Sequence, residues 1–258
     1  MKEAREFEIQ AVSIATPATV NVITGTIISA PNVPALDGVR IVDELEKRLG
    51  IPAILGNDAN AAAVGENWLG ASRGLKNSIM VTLGTGVGGG LILNGEVFSG
   101  SDGTAGEIGH ICVEPKGVKC GCGSNGCLEQ YASALALVRM ARDLLPELHG
   151  MYYNPSLNSA DIYRFAKKGD AFAREAFRLQ GYYLGIAIGG LINTLNPDVI
   201  VIGGGASAGW DLFIDEMIEQ IGFRAYRTPA ERAKLVIAEL GDDAGLLGAA
   251  YLGFNAQN

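Results

Sequence analysis

The chain has 258 residues, of which 36 are glycine, about twice the usual share of this residue. A net charge of −8 with only 20 lysines and arginines disfavours binding to nucleic acid or to an anionic membrane surface. The first residues lack the apolar core of a signal peptide, and the longest apolar stretch is too short to span a membrane. We therefore predict a cytoplasmic protein, in which the glycine excess marks turns where the backbone approaches a ligand.

The first seventy residues predict a short α/β unit. Helical spacing of apolar residues, stop residues and β-branched runs identify its elements. They are a strand over residues 10–15, a strand over 26–29, a helix over 39–49 that ends at Gly50, a strand over 51–55 and an alanine-rich helix from Asn57-Asp58 to about residue 69. After this helix the sequence changes to a strand followed by glycine-rich segments, which predicts a domain boundary near residue 70.

Strands and helices alternate again in the remaining part of the chain, which predicts an α/β architecture. Asn-Gly between two apolar runs is a strong hairpin signal. The predicted elements are a strand over 78–83, a hairpin at Asn94-Gly95, helices from 129 to about 195, a strand over 198–202, a helix over 212–221, a strand over 234–238 and an apolar helix over 244–254 that Asp242-Asp243 caps.

Two of the predicted strands run into glycine-rich loops, at 84–90 and at 203–205. Glycine lets backbone N–H groups face an anion without a Cβ in the way. Gly84-x-Gly86-x-x-Gly89 also matches a dinucleotide-binding fingerprint, but that fingerprint requires a helix directly after the glycines, and a strand is expected here. A phosphate-binding loop is the favoured interpretation, and a tight turn with a structural role is the alternative.

Three of the four cysteines lie between residues 120 and 127. With one histidine they give the pattern H-x9-C-x-C-x4-C, formed by His110, Cys120, Cys122 and Cys127. Thiolate and imidazole are the ligands that zinc prefers, and four of them make a closed, structural site. Unrelated thiols are the alternative, and Cys112 could replace His110 as the fourth ligand, because a strand would place both on one side.

Three carboxylates are candidates for a site. Glu107 and Glu129 flank the cysteine loop, although each by itself is also typical of a surface or a helix start. Asp58 follows a predicted strand and begins a helix, so it could be an N-cap worth about 1 kcal/mol. The other interpretation is functional, because α/β folds place ligands at the carboxyl ends of strands. There, Asp58 could accept a proton from a substrate hydroxyl.

Together these motifs resemble the ROK family, which contains sugar kinases and repressors. The matching segments cover nearly the whole chain, in the order 29–32, 56–60, 83–90, 106–110, 120–129 and 201–205. The run from E-x-G-H to C-x-C-G-x-x-G-C-x-E is the most specific part of the resemblance.

The resemblance implies an actin-like ATPase (ribonuclease H-like) fold with two α/β domains and ATP in the cleft between them. Residues 1–68 with the C-terminal helix 244–258 would form the smaller domain, and residues 69–243 the larger domain with the zinc loop. Family kinases begin with a D-x-G-G-T type loop that this sequence does not contain, so the smaller domain is expected to be incomplete, with an unpaired strand edge. The helix-turn-helix extension of the family's repressors is not found either.

The resemblance further implies ATP-dependent phosphorylation of a hexose hydroxyl, with Asp58 as the base, Mg²⁺ beside ATP, a structural Zn²⁺ and a homodimer or homotetramer. Sugar hydroxyls would be held by Asn32, Asn57, Glu107, His110 and Glu129, phosphates by Gly84, Thr85 and Gly86, and the adenosine side by Gly203 and Gly204. His110 would bind zinc with one ring nitrogen and face the sugar with the other. Because the D-x-G-G-T loop is absent, the alternative is a kinase-like protein that binds sugar without turnover.

Overall fold

The computed structural model describes residues 9–30, 32–144 and 154–255. Its strands are β1 Val12–Thr16, β2 Thr19–Asn21, β3 Thr26–Ser29, β4 Ala53–Asn57, β5 Ser78–Leu83, β6 Val87–Leu93, β7 Glu96–Val97, β8 Val199–Gly203 and β9 Lys234–Ile237. Its α-helices are α1 Ile41–Leu49, α2 Asp58–Leu69, α3 Glu129–Ala132, α4 Ala134–Asp143, α5 Ser159–Lys167, α6 Ala171–Leu195, α7 Trp210–Arg224, α8 Arg227–Arg232 and α9 Ala244–Asn255. The mixed α/β architecture predicted from the sequence is confirmed.

The chain divides into two compact units. The first unit comprises Met1–Lys76, Gly90–Gly106 and Glu239–Asn258, and the second comprises Asn77–Gly89 and Glu107–Ala238. The first unit therefore includes β7 and the second half of β6, which lie beyond residue 68 in the sequence. The division into residues 1–68 with 244–258 and residues 69–243 stays a prediction.

In the first unit, β1 and β4 form a parallel pair in which Val12 lies opposite Ala53 and Thr16 opposite Asn57. Strands β2 and β3 form an antiparallel pair, and helices α2 and α9 pack on the β1–β4 pair. Within the described residues, β1 pairs with no strand other than β4. The carboxyl end of β4 leads directly into α2, which places Asp58 at that end of the sheet.

Helices α2 and α9 approach each other closely enough that their backbones touch. A Cβ added to Gly248 of α9 would overlap the carbonyl oxygen of Ala61 in α2. Gly90 in β6 meets α2 in the same way, because its Cβ would lie 2.5 Å from the Cβ of Ala63 and 2.8 Å from the carbonyl oxygen of Ala59. Part of the glycine excess therefore serves close packing, which corrects the expectation that glycine marks ligand-binding turns.

The far end of α2 carries a completely buried carboxylate, Glu66. It accepts hydrogen bonds from the backbone N–H groups of Ala71, Leu240 and Glu239, at 2.7, 2.8 and 3.2 Å. A buried charge is tolerated when hydrogen bonds satisfy it, and these three bonds hold the segments after α2 and before α9 against α2.

In the second unit, β5, β8 and β9 run parallel in the order β5-β8-β9, and β6 begins beside β5. Strand β8 is buried along its whole length, and the 25-residue helix α6 packs against α7. Only residues 84–86 separate β5 from β6, so the predicted glycine-rich loop extending to residue 90 is wrong. A strand follows these glycines, which excludes the dinucleotide-binding alternative.

Across the described ranges, no helix combines the length and apolar character needed to cross a bilayer.

Gly248→Ala should lower the free energy of unfolding by about 1 to 3 kcal/mol, because the added methyl group overlaps the backbone of α2. Gly245→Ala in the same helix is the matched control, since its Cβ would lie 3.9 Å from the nearest atom, the carbonyl oxygen of Asp58. Alanine is the better helix former, so this variant should be as stable as the parent or slightly more stable. Urea unfolding followed by circular dichroism measures the free energy of unfolding of both variants. An equal loss of stability in the two variants would contradict the close packing at Gly248.

Candidate active site and metal centre

His110, Cys120, Cys122 and Cys127 form one cluster, in which all the ligand atoms lie within 4.8 Å of one another. The Nδ1 of His110 is 3.7 Å from the Sγ of Cys120, and the Sγ atoms of Cys122 and Cys127 are 3.6 Å apart. With Zn–S bonds of about 2.3 Å and Zn–N bonds of about 2.0 Å, a tetrahedral zinc ion separates its ligands by roughly 3.5 to 3.8 Å. The donor set and its spacing therefore fit zinc.

Cys112 is exposed and lies outside the cluster, so this geometry favours His110 as the fourth ligand.

The thiols of the cluster differ in acidity. Burial, together with the neighbouring thiols, raises the pKa of Cys127 to about 12. The pKa of the exposed Cys122 is lowered, chiefly because the backbone N–H of Ser124 donates a hydrogen bond to its sulfur. A cation in the cluster would stabilise both thiolates, so metal binding should release protons.

His110 ends a 3₁₀ turn, Ile108–His110, that lies directly on the start of β6. Gly109 allows this contact, because a Cβ there would overlap the carbonyl oxygen of Val87. The Nε2 of His110, the ring nitrogen that does not face Cys120, lies 3.9 Å from a carboxylate oxygen of Glu107. The turn therefore presents one ring nitrogen to the thiols and the other to Glu107.

Glu129 is the first residue of α3, and its carboxylate accepts a hydrogen bond from the N–H of Val87 at 3.2 Å. The same carboxylate occupies the space beside Gly86, where a Cβ would collide with it. The backbone of Val87 thus contacts both Glu129 and the turn that carries Glu107 and His110. Three residues predicted to bind sugar hydroxyls, the sugar-side residues Glu107, His110 and Glu129, thus lie on segments that contact Val87.

The loop 84–86 is held by backbone hydrogen bonds. The N–H of Gly84 donates to the carbonyl oxygen of Gly86 at 3.0 Å, and the Gly84 carbonyl oxygen accepts from the N–H of Ala134 at 2.8 Å. Thr85, at the tip of the loop, is exposed. The Gly84 amide is engaged inside the loop, so Thr85 is the most accessible of the three predicted phosphate-contacting residues.

The two glycines predicted for the adenosine side differ from each other. Gly203 is buried in β8, and its Cβ would lie 2.6 Å from the Cε of Met80, so this glycine is needed for packing. Gly204 is exposed and has φ +81°, a conformation that favours glycine. Of the two, Gly204 is the one placed where a ligand can reach it.

In the first unit, Asn57 rather than Asp58 caps helix α2. The Oδ1 of Asn57 accepts hydrogen bonds from the N–H groups of Ala59 and Asn60 at 2.9 and 3.1 Å, and its Nδ2 donates to the carbonyl oxygen of Ala18 at 3.3 Å. The interpretation of Asp58 as the N-cap is therefore wrong. Asp58 is exposed beside the cap, with its carboxylate accepting the N–H of Ala59 at 2.9 Å.

The remaining predicted sugar ligand, Asn32, is exposed in the turn that follows β3. Asn57 has its side-chain amide engaged within the protein, where it caps α2 beside Asp58. The assignments of Asn32 and Asn57 to sugar hydroxyls stay predictions.

One neighbour of the cysteine cluster, Gln130, is not singled out by the sequence pattern. Its Nε2 lies 3.8 Å from the Sγ of Cys120. The available signal was its position directly after Glu129, three residues beyond the last cysteine.

Comparison with known proteins identifies relatives along nearly the whole chain. The sequence profile of the ROK family matches residues 1–255. The chain is 41% identical to the glucokinase of Halalkalibacterium halodurans, with 93% of this chain and 75% of that protein aligned. The structure resembles that of a ROK family glucokinase from Streptomyces griseus in complex with glucose and AMPPNP. For this pair the TM-score is 0.83 and the identity 35%, covering 98% of this chain and 84% of that one.

A putative xylose repressor of Caldicellulosiruptor sp. is also related, with 34% identity over 92% of this chain and 60% of that protein. The structural similarity confirms the predicted fold class, the actin-like ATPase α/β fold. Within that class, the chain belongs to the ROK family.

The purified protein should contain about one zinc ion per chain, measured by elemental analysis. Cys122→Ser should lower the zinc content and the unfolding temperature, because the site loses one of its four ligands. Cys112→Ser makes the same chemical change two residues from His110 but outside the cluster, and it should leave both quantities unchanged. Full stability of the metal-free protein would refute a structural role for the ion.

Proposed function

We propose that the protein is a sugar kinase that transfers the γ-phosphate of ATP to a hydroxyl group of a hexose. The observation that supports this most directly is the meeting of Glu129 and the Glu107–His110 turn at Val87, directly after the loop 84–86. Carboxylates and imidazole are hydrogen-bonding groups suited to sugar hydroxyls, and the loop lies at the carboxyl end of β5, where α/β sheets bind ligands.

The relatives support the choice of substrates. The Streptomyces griseus glucokinase, of similar structure, is described in complex with glucose and AMPPNP, and the protein of Halalkalibacterium halodurans is named a glucokinase. We infer a hexose and ATP for this chain on that ground. We also propose a homodimer or homotetramer as the assembly, which the resemblance to the family implies.

Asp58 is the proposed general base. It is an exposed carboxylate at the carboxyl end of β4, freed from capping because Asn57 takes that role. Phosphoryl transfer depends mainly on position and electrostatic stabilisation, and a base in this class needs only to orient and deprotonate the attacking hydroxyl. Asp58 is carried by a helix fixed at both ends, which suits that task.

The other residues bind and orient. We propose sugar contacts from Asn32, Glu107, His110 and Glu129, supported by Asn57, phosphate contacts from Gly84, Thr85 and Gly86, and adenosine-side contacts from Gly203 and Gly204. Mg²⁺ would accompany ATP, because the charge of the phosphates needs neutralising. Zinc would be structural, held by His110, Cys120, Cys122 and Cys127, and it would fix the ring orientation of His110.

Asp58→Asn should abolish turnover while changing sugar affinity by less than about tenfold, because the base acts only on the way to the transition state. ADP release with a panel of hexoses measures turnover, and calorimetry measures sugar affinity. Asp215→Asn, at an exposed position of α7, is the matched control and should leave turnover unchanged. Turnover retained by Asp58→Asn would contradict the assignment.

Two other outcomes would identify a different function. Hexose binding by the wild type without any ADP release would support the kinase-like sugar-binding protein. Tight, salt-dependent and sequence-specific DNA binding would support a repressor, as in the related putative xylose repressor. The net charge of −8 disfavours that second outcome.

A further inference from the structure

Gln130 contacts the cysteine cluster from outside the set of four ligands. Its side-chain Nε2 lies 3.8 Å from the Sγ of Cys120, and the same sulfur is 3.7 Å from the Nδ1 of His110. A carboxamide nitrogen donates hydrogen bonds, and a sulfur accepts them better as a thiolate than as a thiol. A zinc-bound Cys120 would be a thiolate, and the contact with Gln130 would then be a charge-assisted hydrogen bond to a metal ligand.

The backbone from which Gln130 reaches the sulfur is fixed on both sides. Its N–H donates to the carbonyl oxygen of Cys127 at 2.9 Å, and its carbonyl oxygen accepts a hydrogen bond from the guanidinium of Arg139. The next residue, Tyr131, accepts the N–H of Val118 at 2.9 Å through its hydroxyl group. The backbone that carries the donor is thus held in place by the protein itself, which reduces the entropy that the hydrogen bond costs.

Helix α3 joins this contact to the proposed sugar side. Glu129, its first residue, holds the N–H of Val87 at 3.2 Å, and Gln130 is its second residue. The helix has only four residues, and backbone hydrogen bonds, among them that from the Ser133 N–H to the Glu129 carbonyl oxygen at 3.3 Å, hold its start. The side chain of Gln130 adds one further contact at the same point.

We propose that Gln130 is a positioning residue: its hydrogen bond to the Cys120 thiolate strengthens zinc binding and orients the start of α3, and with it Glu129. This inference rests on the zinc site and the sugar-side role of Glu129 proposed above. Partners that hydrogen-bond to metal ligands typically change metal affinity by about 10- to 100-fold.

Two variants of similar size separate the hydrogen bond from packing. Gln130→Met removes the N–H donor, and Gln130→Glu puts a negatively charged acceptor beside the thiolate. Zinc affinity, measured by competition with a chromophoric chelator, should fall about 10-fold or more in Gln130→Met and further in Gln130→Glu. If Gln130 acted only through packing, the Gln130→Glu variant, whose side chain is closely isosteric with glutamine, would bind zinc more tightly than Gln130→Met. Gln10→Met, the same change at an exposed position, is the control and should bind zinc like the wild type.

The Co²⁺-substituted protein provides a spectroscopic readout that is independent of turnover. Loss of an N–H···S hydrogen bond raises the energy of the sulfur lone pair, so the thiolate-to-cobalt charge-transfer band of Gln130→Met should move to longer wavelength. Circular dichroism verifies that each variant is folded. In an active enzyme, Gln130→Met should raise the KM for the hexose and leave the KM for ATP unchanged.

The outcomes separate this inference from the proposals beneath it. A wild-type protein that binds no zinc overturns both the zinc site and the role of Gln130. Stoichiometric zinc in the wild type, with the same affinity and the same cobalt band in Gln130→Met, overturns the role of Gln130 and leaves the zinc site standing. A shifted band with an unchanged KM for the hexose overturns the link to Glu129.

Discussion

The stretch between the end of β7 at Val97 and the start of α3 at Glu129 is held by backbone hydrogen bonds within turns and by side-chain contacts, without a sheet of its own. It contains a 3₁₀ turn and two isolated β-bridges, Cys112 with Cys127 and Lys119 with Asn125, and so few backbone ladders hold it. Ordering each residue of such a segment costs about 1 to 2 kcal/mol of conformational entropy. The cluster of one imidazole and three thiols connects residue 110 to residues 120–127 and offers a metal ion a single compact set of ligands. Three of the residues proposed to bind sugar lie within this stretch or directly after it.

The second unit presents the proposed sugar-side groups through one short stretch of backbone. Val87 follows the loop 84–86, donates its N–H to Glu129 and packs its carbonyl oxygen against Gly109. A change at either contact should move the loop and the sugar-side groups together. The zinc cluster would act at a distance from the chemistry, by holding the turn and the start of α3 against this residue.

The first unit supports Asp58 by a different physical route. Asn57 caps helix α2, Gly248 lets α9 lie against its backbone, and Glu66 fixes its far end with three hydrogen bonds. A base on a helix held in this way keeps its position without forming many hydrogen bonds of its own. Precise placement is the main demand that phosphoryl transfer makes on such a group.

The sequence by itself determined those features that depend on residues close together in the chain. The helix from residue 58 to 69, the strand over 78–83 and the hairpin at Asn94-Gly95 follow from local periodicity and turn chemistry, and the three candidate cysteine ligands follow from their spacing. The sequence could not decide between Asn57 and Asp58 as the helix cap, because both residue types are good caps and they are adjacent.

Only the tertiary structure decided which glycines are needed for close packing and which residue completes the metal cluster. It also showed that the side chain of Gln130 contacts Cys120. Gly90 and Gly248 look like loop or helix glycines until the backbone of α2 is placed against them. Cys112 and His110 were equally acceptable ligands by spacing, and only the folded chain leaves Cys112 outside the cluster. The physical reason is the same in each case: these properties are distances between atoms of separate segments, and those distances exist only after the chain has folded.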